Sequence, residues 1–277
     1  MSIKVQKVKV DYNEMPQGVT YYFIGQPKTG KSTQASKWSE KGQDGVLVLD
    51  TDLGADFVDG ANVVPIVFLN DPLENIKTKD GDAWKVIPPL ERGYVYRNGP
   101  NKGEPMPVYS LSEVKAWLVK DFHKLPYDTI VIDTIDQVNE WVEDLVKEKL
   151  KINEMGMGDF GADWAKARRL NVTIAKEIQQ LVKKNGANLI IVSHSKKSMT
   201  QDGKVQLGPS LPAGLGRALT AKADIIGFTE IKKGNNEYTI NFKAYDERSN
   251  GSRFKPLAQK VLPFSYESIK KEILEYK

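Results

Sequence analysis

The apolar residues of this chain fall into short, nearly continuous runs separated by longer stretches of mixed character. Runs rich in β-favouring residues occupy positions 20–24, 46–50, 63–67, 129–133 and 188–193. Runs without polar alternation are typical of strands covered on both faces, as in a parallel sheet. Two later runs, 224–230 and 237–244, flank a polar turn at 233–236 and predict a pair of strands near the C-terminus.

The stretches between these runs predict helices. Ser110 and Glu113 form a capping-box pattern before apolar residues that continue at helical spacing to Phe122. The same spacing predicts helices over 32–41, 135–145, 167–181 (stopping near Asn185-Gly186) and 266–277. The alternation predicts an α/β fold, with three αβα layers around a mostly parallel, doubly wound sheet and antiparallel strands towards the C-terminus. We expect one domain over 1–277, with its core at about 18–265.

Residues 79–109 interrupt this rhythm. The segment is rich in proline and glycine, and Asn98-Gly99 is a typical hairpin turn. Insertions of this length are often either lids or disordered segments, and the sequence leaves both readings open.

Composition narrows the possible chemistry. The 277 residues are 40% apolar and 27% charged, with a net charge of +4, two histidines and no cysteine. These values exclude a thiol nucleophile and a cysteine-bearing zinc site, and they favour oxygen ligands for any divalent metal. The mild positive charge permits polyanion binding without requiring it. No secretion signal or membrane-length apolar run is evident, so we expect a cytoplasmic protein.

The most specific motif lies at residues 25–32, which read Gly-Gln-Pro-Lys-Thr-Gly-Lys-Ser. This is a complete phosphate-binding loop between a predicted strand and a predicted helix. Its glycines let backbone N–H groups converge on phosphate oxygens, Lys31 is expected to reach the β and γ phosphates, and Ser32 is expected to bind Mg²⁺. The predicted nucleotide-binding residues are Gly25, Gln26, Pro27, Lys28, Thr29, Gly30, Lys31, Ser32 and Thr33.

Two carboxylates are expected to complete the site. Asp133 ends the apolar run 129–133, where the second metal-holding acid of such sites is placed, although an aspartate there also fits a strand end before a helix cap. Thr134 follows it, so the carboxylate that orients the attacking water must come from elsewhere. Asp52, just beyond the run 46–50, is the candidate. Asp50 competes with it, and either residue also suits a turn cap.

These motifs resemble those of RecA-like ATPases. The phosphate loop, the Leu-Asp-Thr-Asp-Leu-Gly segment at 49–54, the strand ending in Asp133 and the strand ending in Ser193-His194 carry the likeness. The chain looks closest to phage single-strand-annealing ATPases. The resemblance implies a RecA-like core, Mg²⁺-dependent ATP hydrolysis, single-stranded DNA binding and a homo-oligomeric ring or short filament. It also implies a replication or recombination partner. Asp52 departs from the glutamate common in the recombinases.

The resemblance also assigns roles beyond the phosphate loop. His194 is similar in position to a polar γ-phosphate sensor, although a hydrogen-bonded core histidine fits equally well. Segments 155–163 and 195–212 correspond to the DNA-facing loops, with Phe160 and Trp164 as candidates for base stacking. The candidate DNA-binding cations, which also fit a solvated face, are Lys166, Arg168, Arg169, Lys196 and Lys197.

RecA-like proteins usually borrow a catalytic cation from a neighbouring subunit. Lys243 and Arg248 follow the last predicted strand and are the candidates for this role, with Arg253 a third possibility. Surface salt bridging is the alternative for all three.

Two other classes of function remain compatible with the sequence. A small-molecule or nucleotide kinase shares the phosphate loop but normally carries an arginine-rich lid, whereas residues 79–109 offer only Arg92 and Arg97. A non-catalytic switch or helicase loader would use ATP to order its loops for a protein partner.

Overall fold

A computed structural model describes residues 11–70, 77–80, 83–86, 91–199, 205–232, 237–244 and 250–276, with backbone alone at 77–80 and 83–86 and at Asp56. Arg248 and the predicted turn at 233–236 lie outside these residues.

The described strands begin and end close to the apolar runs of the sequence. They are β1 Thr20–Gly25, β2 Val46–Asp50, β3 Asn62–Phe68, β4 Lys77–Asp80, β5 Ala83–Val86, β6 Tyr109–Ser110, β7 Thr129–Asp133, β8 Asn188–Met199, β9 Val205–Pro209, β10 Ile225–Lys232, β11 Glu237–Asn241, β12 Gly251–Ser252 and β13 Val261–Pro263. The described α-helices are α1 Lys31–Ala35, α2 Leu111–Asp121, α3 Ile135–Leu150, α4 Ala162–Lys184, α5 Ala213–Thr220 and α6 Tyr266–Leu274.

One large sheet organises the described residues. Its strand order is β13-β11-β10-β1-β8-β7-β2-β3-β6, with β12 added to β10 and β9 to β8. The strands from β10 to β6 in this order run parallel, whereas β9 pairs antiparallel with β8, β11 and β12 pair antiparallel with β10, and β13 pairs antiparallel with β11. The predicted α/β class, with a mostly parallel sheet and C-terminal antiparallel strands, is therefore confirmed.

Alternate residues of the central strands bury opposite faces of the sheet. Tyr22 and Ile24 of β1 belong to a core that includes α2, α3, α4 and α5. Tyr21 and Phe23 face the other way, towards α6 and an aromatic cluster around Trp38. The two faces give the three αβα layers, and because the central strands are parallel, their carboxyl ends meet at one edge of the sheet.

The helix predicted after the phosphate loop is shorter than expected. It ends at Ala35, not near residue 41. The Ser36 hydroxyl donates to the Thr33 carbonyl at 3.0 Å, and Trp38 turns into the aromatic cluster beside Phe23. Burial of the indole ring therefore overrides the local helical spacing.

The strand predicted over 188–193 is longer than expected. Strand β8 continues to Met199 and pairs with β9, from Ser195 opposite Pro209 to Met199 opposite Val205. The described part of segment 195–212 is therefore mainly a β-hairpin, called here the β8–β9 hairpin.

The insertion contains ordered turns. Residues 94–106 form an irregular hairpin, in which Tyr96 N donates to Glu104 O and Met106 N donates to Tyr94 O, with Gly99 at φ 79° near its tip. A second, two-stranded hairpin joins β4 to β5. The turn predicted at Asn98-Gly99 is thus present. None of the helices in the described ranges combines the length and apolar character needed to span a bilayer.

Candidate functional site

The phosphate loop joins β1 to α1 at the carboxyl edge of the sheet. Lys28 and Gly30 have left-handed backbone conformations, with φ of 66° and 78°, which curl the loop before α1. Gly25 fits tightly against β10, since an added Cβ would overlap the Thr229 hydroxyl and lie 2.6 Å from the Thr229 carbonyl oxygen. Thr29 and Thr229 share a hydrogen bond of 2.7 Å that fixes the loop to this neighbouring strand.

Lys31 lies inside the curl and is only 6% exposed. Its ammonium donates to the carbonyl oxygens of Gly25 and Gln26 at 3.0 and 2.8 Å. Burial lowers the pKa of Lys31, and the nearby carboxylates of Asp133, Asp136 and Asp52 oppose this effect. The cation is therefore held among backbone carbonyls and acids at the position where phosphate oxygens would bind.

Asp133 ends β7 and meets the start of α1. Asp133 is 2% exposed, and Ser32 lies close to its carboxylate. Burial, together with the charges of Asp52 and Asp136, raises the pKa of Asp133 to about 6, although Ser32 and Lys31 favour the charged form. The peptide between Asp133 and Thr134 is cis.

Asp50 and Asp52 both lie at the turn after β2 but differ in exposure. Asp50 is buried and accepts hydrogen bonds from Gly54 N and Ala55 N at 3.1 and 2.9 Å. Burial raises its pKa to about 7. Both aspartates cap the turn after β2, since Gly54 N also donates to Asp52 Oδ1 at 3.1 Å, but Asp52 is exposed near Lys31 and Asp133. This placement favours Asp52 over Asp50 as the acid that faces substrate.

Asp136 is a site residue that sequence reasoning missed. It lies in the first turn of α3, where it accepts from Ser193 Oγ and His194 N, each at 2.9 Å. Burial raises its pKa, and the bonds from His194 and Ser193 oppose that rise. The sequence feature that could have revealed Asp136 is its position, three residues after Asp133 and in the first turn of the next helix, where an acid is favoured.

His194 lies beside the phosphate loop. It is opposite Gly25 in the parallel pairing of β8 with β1, and its Nδ1 is 3.8 Å from Asp136 Oδ2. About a third of its side chain, 36%, is exposed. The ring therefore lies between the site and the solvent and is not enclosed in the core.

The residues present fit a magnesium nucleotide. Ser32 and Asp133 are the side chains that would hold the metal, and no cluster of three or more histidine or acidic side chains among the described residues could hold one unaided. Mg²⁺ commonly uses few protein ligands and takes the rest from phosphates and water. The pocket therefore suits a metal that arrives with its nucleotide.

Tyr238, on β11, is a second residue that the sequence did not reveal. Its ring covers Gly30, because a Cβ added to that glycine would lie 3.2 Å from Tyr238 Cδ1. The ring remains 42% exposed. In the sheet order, β10 and β11 lie on one side of β1, and β8 and β7 lie on the other. Tyr238 on β11 and Asp133 on β7 therefore border the phosphate loop from opposite sides.

Helices α3 and α4 carry the first predicted DNA-facing segment. They pack antiparallel through Asn139 and Asn171, at 3.0 Å, while the later residues of α4, among them Ile178 and Val182, cover the sheet. Since α3 starts at the carboxyl edge, the connection between the helices projects beyond that edge. There Phe160 is fully exposed and Trp164 is 40% exposed.

The connection between α3 and α4 is anchored at one buried side chain. Buried Asp163 accepts hydrogen bonds from the backbone N–H groups of Gly156, Gly158 and Trp164. Burial opposes ionisation, yet these bonds outweigh it and hold the pKa of Asp163 below its usual value.

The predicted DNA-facing cations lie on two elements. Arg168 and Arg169 are exposed on α4, with Lys166 partly buried, and Arg168 lies 3.6 Å from a Cβ built on Gly214. A cavity of about 440 Å³ separates α4 from α5 and is lined by Trp164, Arg168 and Pro212 among others. Lys196 and Lys197 are exposed on the β8–β9 hairpin.

Of the predicted trans-acting cations, Lys243 and Arg253 belong to the described residues, and both lie elsewhere. Because β11 runs antiparallel to β10, Lys243 follows the end of β11 that points away from the phosphate loop. Arg253 forms a 2.8 Å ion pair with Asp224 and donates to the Ala221 carbonyl. These contacts favour a surface salt bridge over a catalytic role for Arg253.

Comparison with known families supplies an independent finding. A family model described as an AAA domain matches residues 17–254, well over half of the chain. No curated protein matches the chain significantly. The matched region contains Lys31, Ser32, Asp133 and the strands that bring them together. The chain therefore belongs to the AAA domain family of nucleotide-binding P-loop ATPases.

Proposed function

We propose that the protein is a Mg²⁺-dependent ATPase that binds single-stranded DNA and promotes its annealing or pairing during recombination. The observation that carries the proposal is the convergence of Lys31, Ser32 and Asp133 at one sheet edge, from which two cation-bearing elements project. The narrower likeness to RecA-like and phage single-strand-annealing ATPases, and the cytoplasmic location, stay predictions.

Hydrolysis would depend on positioning and charge neutralisation. Phosphoryl transfer needs little covalent chemistry from the protein. Lys31 and the loop N–H groups would bind the β and γ phosphates, and Ser32 and Asp133 would hold Mg²⁺, which neutralises charge on the phosphate oxygens when bound. Asp52 would orient the attacking water, with Asp136 holding the end of β8 in place beside it.

Tyr238 would contribute to nucleotide binding outside the phosphates. Its exposed ring against Gly30 offers a flat apolar surface beside the loop. A nucleobase stacks favourably on such a ring. We assign it a binding role and no part in the chemical step.

DNA binding is supported by charge and by aromatic exposure. Phe160 and Trp164 would stack on bases, while Arg168, Lys196 and Lys197 would contact phosphates. The cavity between α4 and α5 is lined by Trp164 and Arg168, and it would accept part of an unstacked strand.

The arginines of the insertion argue against a kinase. Arg92 has 1% side-chain exposure and makes bonds of 2.7 and 3.0 Å to Glu113. Arg97 lies over the Phe57 ring at 5.7 Å. Both guanidinium groups hold the insertion to the rest of the protein, so the described structure offers little support for an arginine-rich phosphate lid.

The test is ATP hydrolysis with and without single-stranded DNA over a salt series, in the parent and in Lys31→Ala. We expect hydrolysis in the parent, its loss in the variant, and stimulation by DNA that falls as salt rises, because phosphate contacts release counterions. Replacing Lys196 and Lys197 together by alanine should shrink the stimulation and flatten its salt dependence.

The possible outcomes separate the classes of function. A Lys31→Ala variant that hydrolyses ATP at the parent rate would remove the site assignment. Hydrolysis that single-stranded DNA neither stimulates nor alters, with no salt-dependent DNA binding, would replace the annealing role by that of a switch or loader.

A further inference from the structure

We propose that Gln26 is a positioning residue through which nucleotide binding in the phosphate loop controls the β8–β9 hairpin. Gln26 Nε2 donates to Ser195 Oγ at 3.0 Å and lies 3.4 Å from the Ser195 carbonyl oxygen. The two residues are 169 positions apart in sequence. Ser195 stands directly before Lys196 and Lys197, so the contact joins the phosphate loop to the cation-bearing hairpin.

The backbone of Gln26 belongs to the phosphate-binding machinery. Its carbonyl oxygen accepts a hydrogen bond from Lys31 Nζ at 2.8 Å and another from Thr29 Oγ1 at 2.8 Å. The same residue therefore bonds to the hairpin through its side chain and to the catalytic lysine through its main chain.

Nucleotide binding would change this arrangement, and this step rests on the proposed function. Lys31 cannot keep both carbonyl bonds while its ammonium binds the β and γ phosphates. An ammonium has three donors, so at most one carbonyl bond survives beside two phosphate bonds, and the inference requires that the bond to Gln26 is the one lost. Gln26 would then lose a charge-assisted hydrogen bond, which is stronger than a neutral one. With its backbone less constrained, Gln26 would hold Ser195 less firmly, and the hairpin would be released.

The position of the contact suits this role. Ser210 N donates to His194 O at 2.7 Å, so the base of the hairpin is fixed to β8 immediately beside Ser195. Beyond that point Lys196, Lys197 and Met199 of β8 are exposed, and β8 is held there by its ladder with β9, whose Leu207 packs against the core. A bond at Ser195 can therefore set how the exposed part leaves the sheet edge.

The experiment is hydrogen exchange measured by mass spectrometry on peptides covering 196–199 and 205–208. The parent, Ser195→Ala, Ser195→Thr and the control Ser198→Ala are compared with and without a non-hydrolysable ATP analogue and Mg²⁺. Ser198 lies on the same hairpin, and its hydroxyl donates to the Gln206 carbonyl at 3.3 Å, away from the phosphate loop. Nucleotide occupancy is measured in parallel by calorimetry.

We expect exchange in the parent hairpin to rise about three- to tenfold on nucleotide binding, as the loss of one hydrogen bond implies. Ser195→Ala should exchange at this faster rate without nucleotide and show no further rise. Ser195→Thr, which keeps the hydroxyl, and Ser198→Ala should behave like the parent. Gln26→Ala, which also removes the contact to the Ser195 carbonyl, should exchange at least as fast as Ser195→Ala before nucleotide is added.

Two results would overturn the inference while leaving the proposed function intact. One is unchanged or slower hairpin exchange in the parent at full nucleotide occupancy. The other is a response of Ser195→Ala equal to that of Ser198→Ala. Failure of the parent to bind nucleotide at all would instead be seen by calorimetry and would refute the proposed function, and this inference with it.

Discussion

At the scale of single residues, the pocket is a group of acids around one buried cation. Asp133, Asp136 and Asp52 all act on Lys31, and burial raises the pKa values of Asp133 and Asp50 to about 6 and about 7. Like charges held together out of water favour protonation until a cation arrives. Magnesium binding should therefore displace a proton.

The first prediction concerns pH. Because the pKa of Asp133 is raised, its charged form is depleted below about pH 6, and Mg²⁺-dependent nucleotide affinity should fall as pH is lowered, approaching tenfold per pH unit. Titration calorimetry at pH 5.0, 6.5 and 8.0, in buffers of different ionisation enthalpy, would measure both affinity and proton release. Asp133→Asn should bind weakly at every pH, whereas a parent affinity constant from pH 5 to 8 would contradict the prediction.

The second prediction concerns the close approach of β1 and β10. Gly25→Ala would place a methyl group against Thr229, so we expect a loss of about 1–3 kcal/mol in the free energy of unfolding and weaker nucleotide binding. Gly208→Ala is the matched control, because a Cβ there meets nothing within 4 Å. Urea denaturation of both variants makes the comparison, and equal stability would show that the strands can separate at no cost.

How far sequence reasoning reached depended on whether an interaction was local. Lys31 and Ser32 share one contiguous motif, and Asp133 ends an apolar run, so their juxtaposition followed from the rule for parallel sheets. Tyr238 reaches Gly30 only because β11 and β10 lie beside β1, and the Gln26–Ser195 bond depends on the same kind of register. Neither contact leaves a local pattern in the sequence.

At the scale of elements, strand and helix boundaries were predictable where local and tertiary preferences agreed. Helix α2 begins at Ser110, as the capping box predicts: Ser110 Oγ accepts from Glu113 N, and Glu113 accepts from Ser110 N. Helix α1 ends early because Trp38 packs into the core. Strand β8 continues past His194 because β9 pairs with it. The polar residues of this part of β8 did not predict a pairing partner.

The third prediction tests the capping box. Ser110→Ala should lower the free energy of unfolding by about 1 kcal/mol, because a buried hydroxyl that caps α2 is lost. Ser198→Ala, at an exposed hairpin position, should change it by less than about 0.5 kcal/mol. Urea midpoints at unchanged slope would measure the difference. ATP turnover of Ser110→Ala should match the parent at a temperature where both are folded.

At the scale of the whole molecule, one sheet edge collects the phosphate loop, the β8–β9 hairpin and the connection between α3 and α4. Lys243 lies past the far end of an antiparallel strand, directed away from that edge. Such a cation is poorly placed for its own pocket. If it contributes to catalysis, it must do so in a neighbouring subunit's pocket, and activity then belongs to the interface between two copies.

The fourth prediction separates catalysis within a subunit from catalysis between subunits. Lys31→Ala subunits keep the predicted trans-acting cations, and Lys243→Ala/Arg248→Ala subunits keep an intact pocket. Each variant alone should be inactive. The Lys243→Ala/Arg248→Ala variant should be inactive because a cation supplied by a neighbour raises the rate about 10³- to 10⁵-fold. Random mixing brings an intact pocket beside an intact cation at about a quarter of the interfaces, so activity should return to about that fraction of the parent rate.

The parent's behaviour on dilution supplies the control. Its rate per subunit should rise with protein concentration through the assembly transition, followed by light scattering in the same samples. Full activity of Lys243→Ala/Arg248→Ala alone would remove both cations from the mechanism. If the two variants assemble together and the mixture is still inactive, Lys243 and Arg248 act in the folding or assembly of their own subunit. Recovery on mixing requires a shared pocket, because neither variant alone holds both the lysine that binds phosphate and the cation that a neighbour supplies.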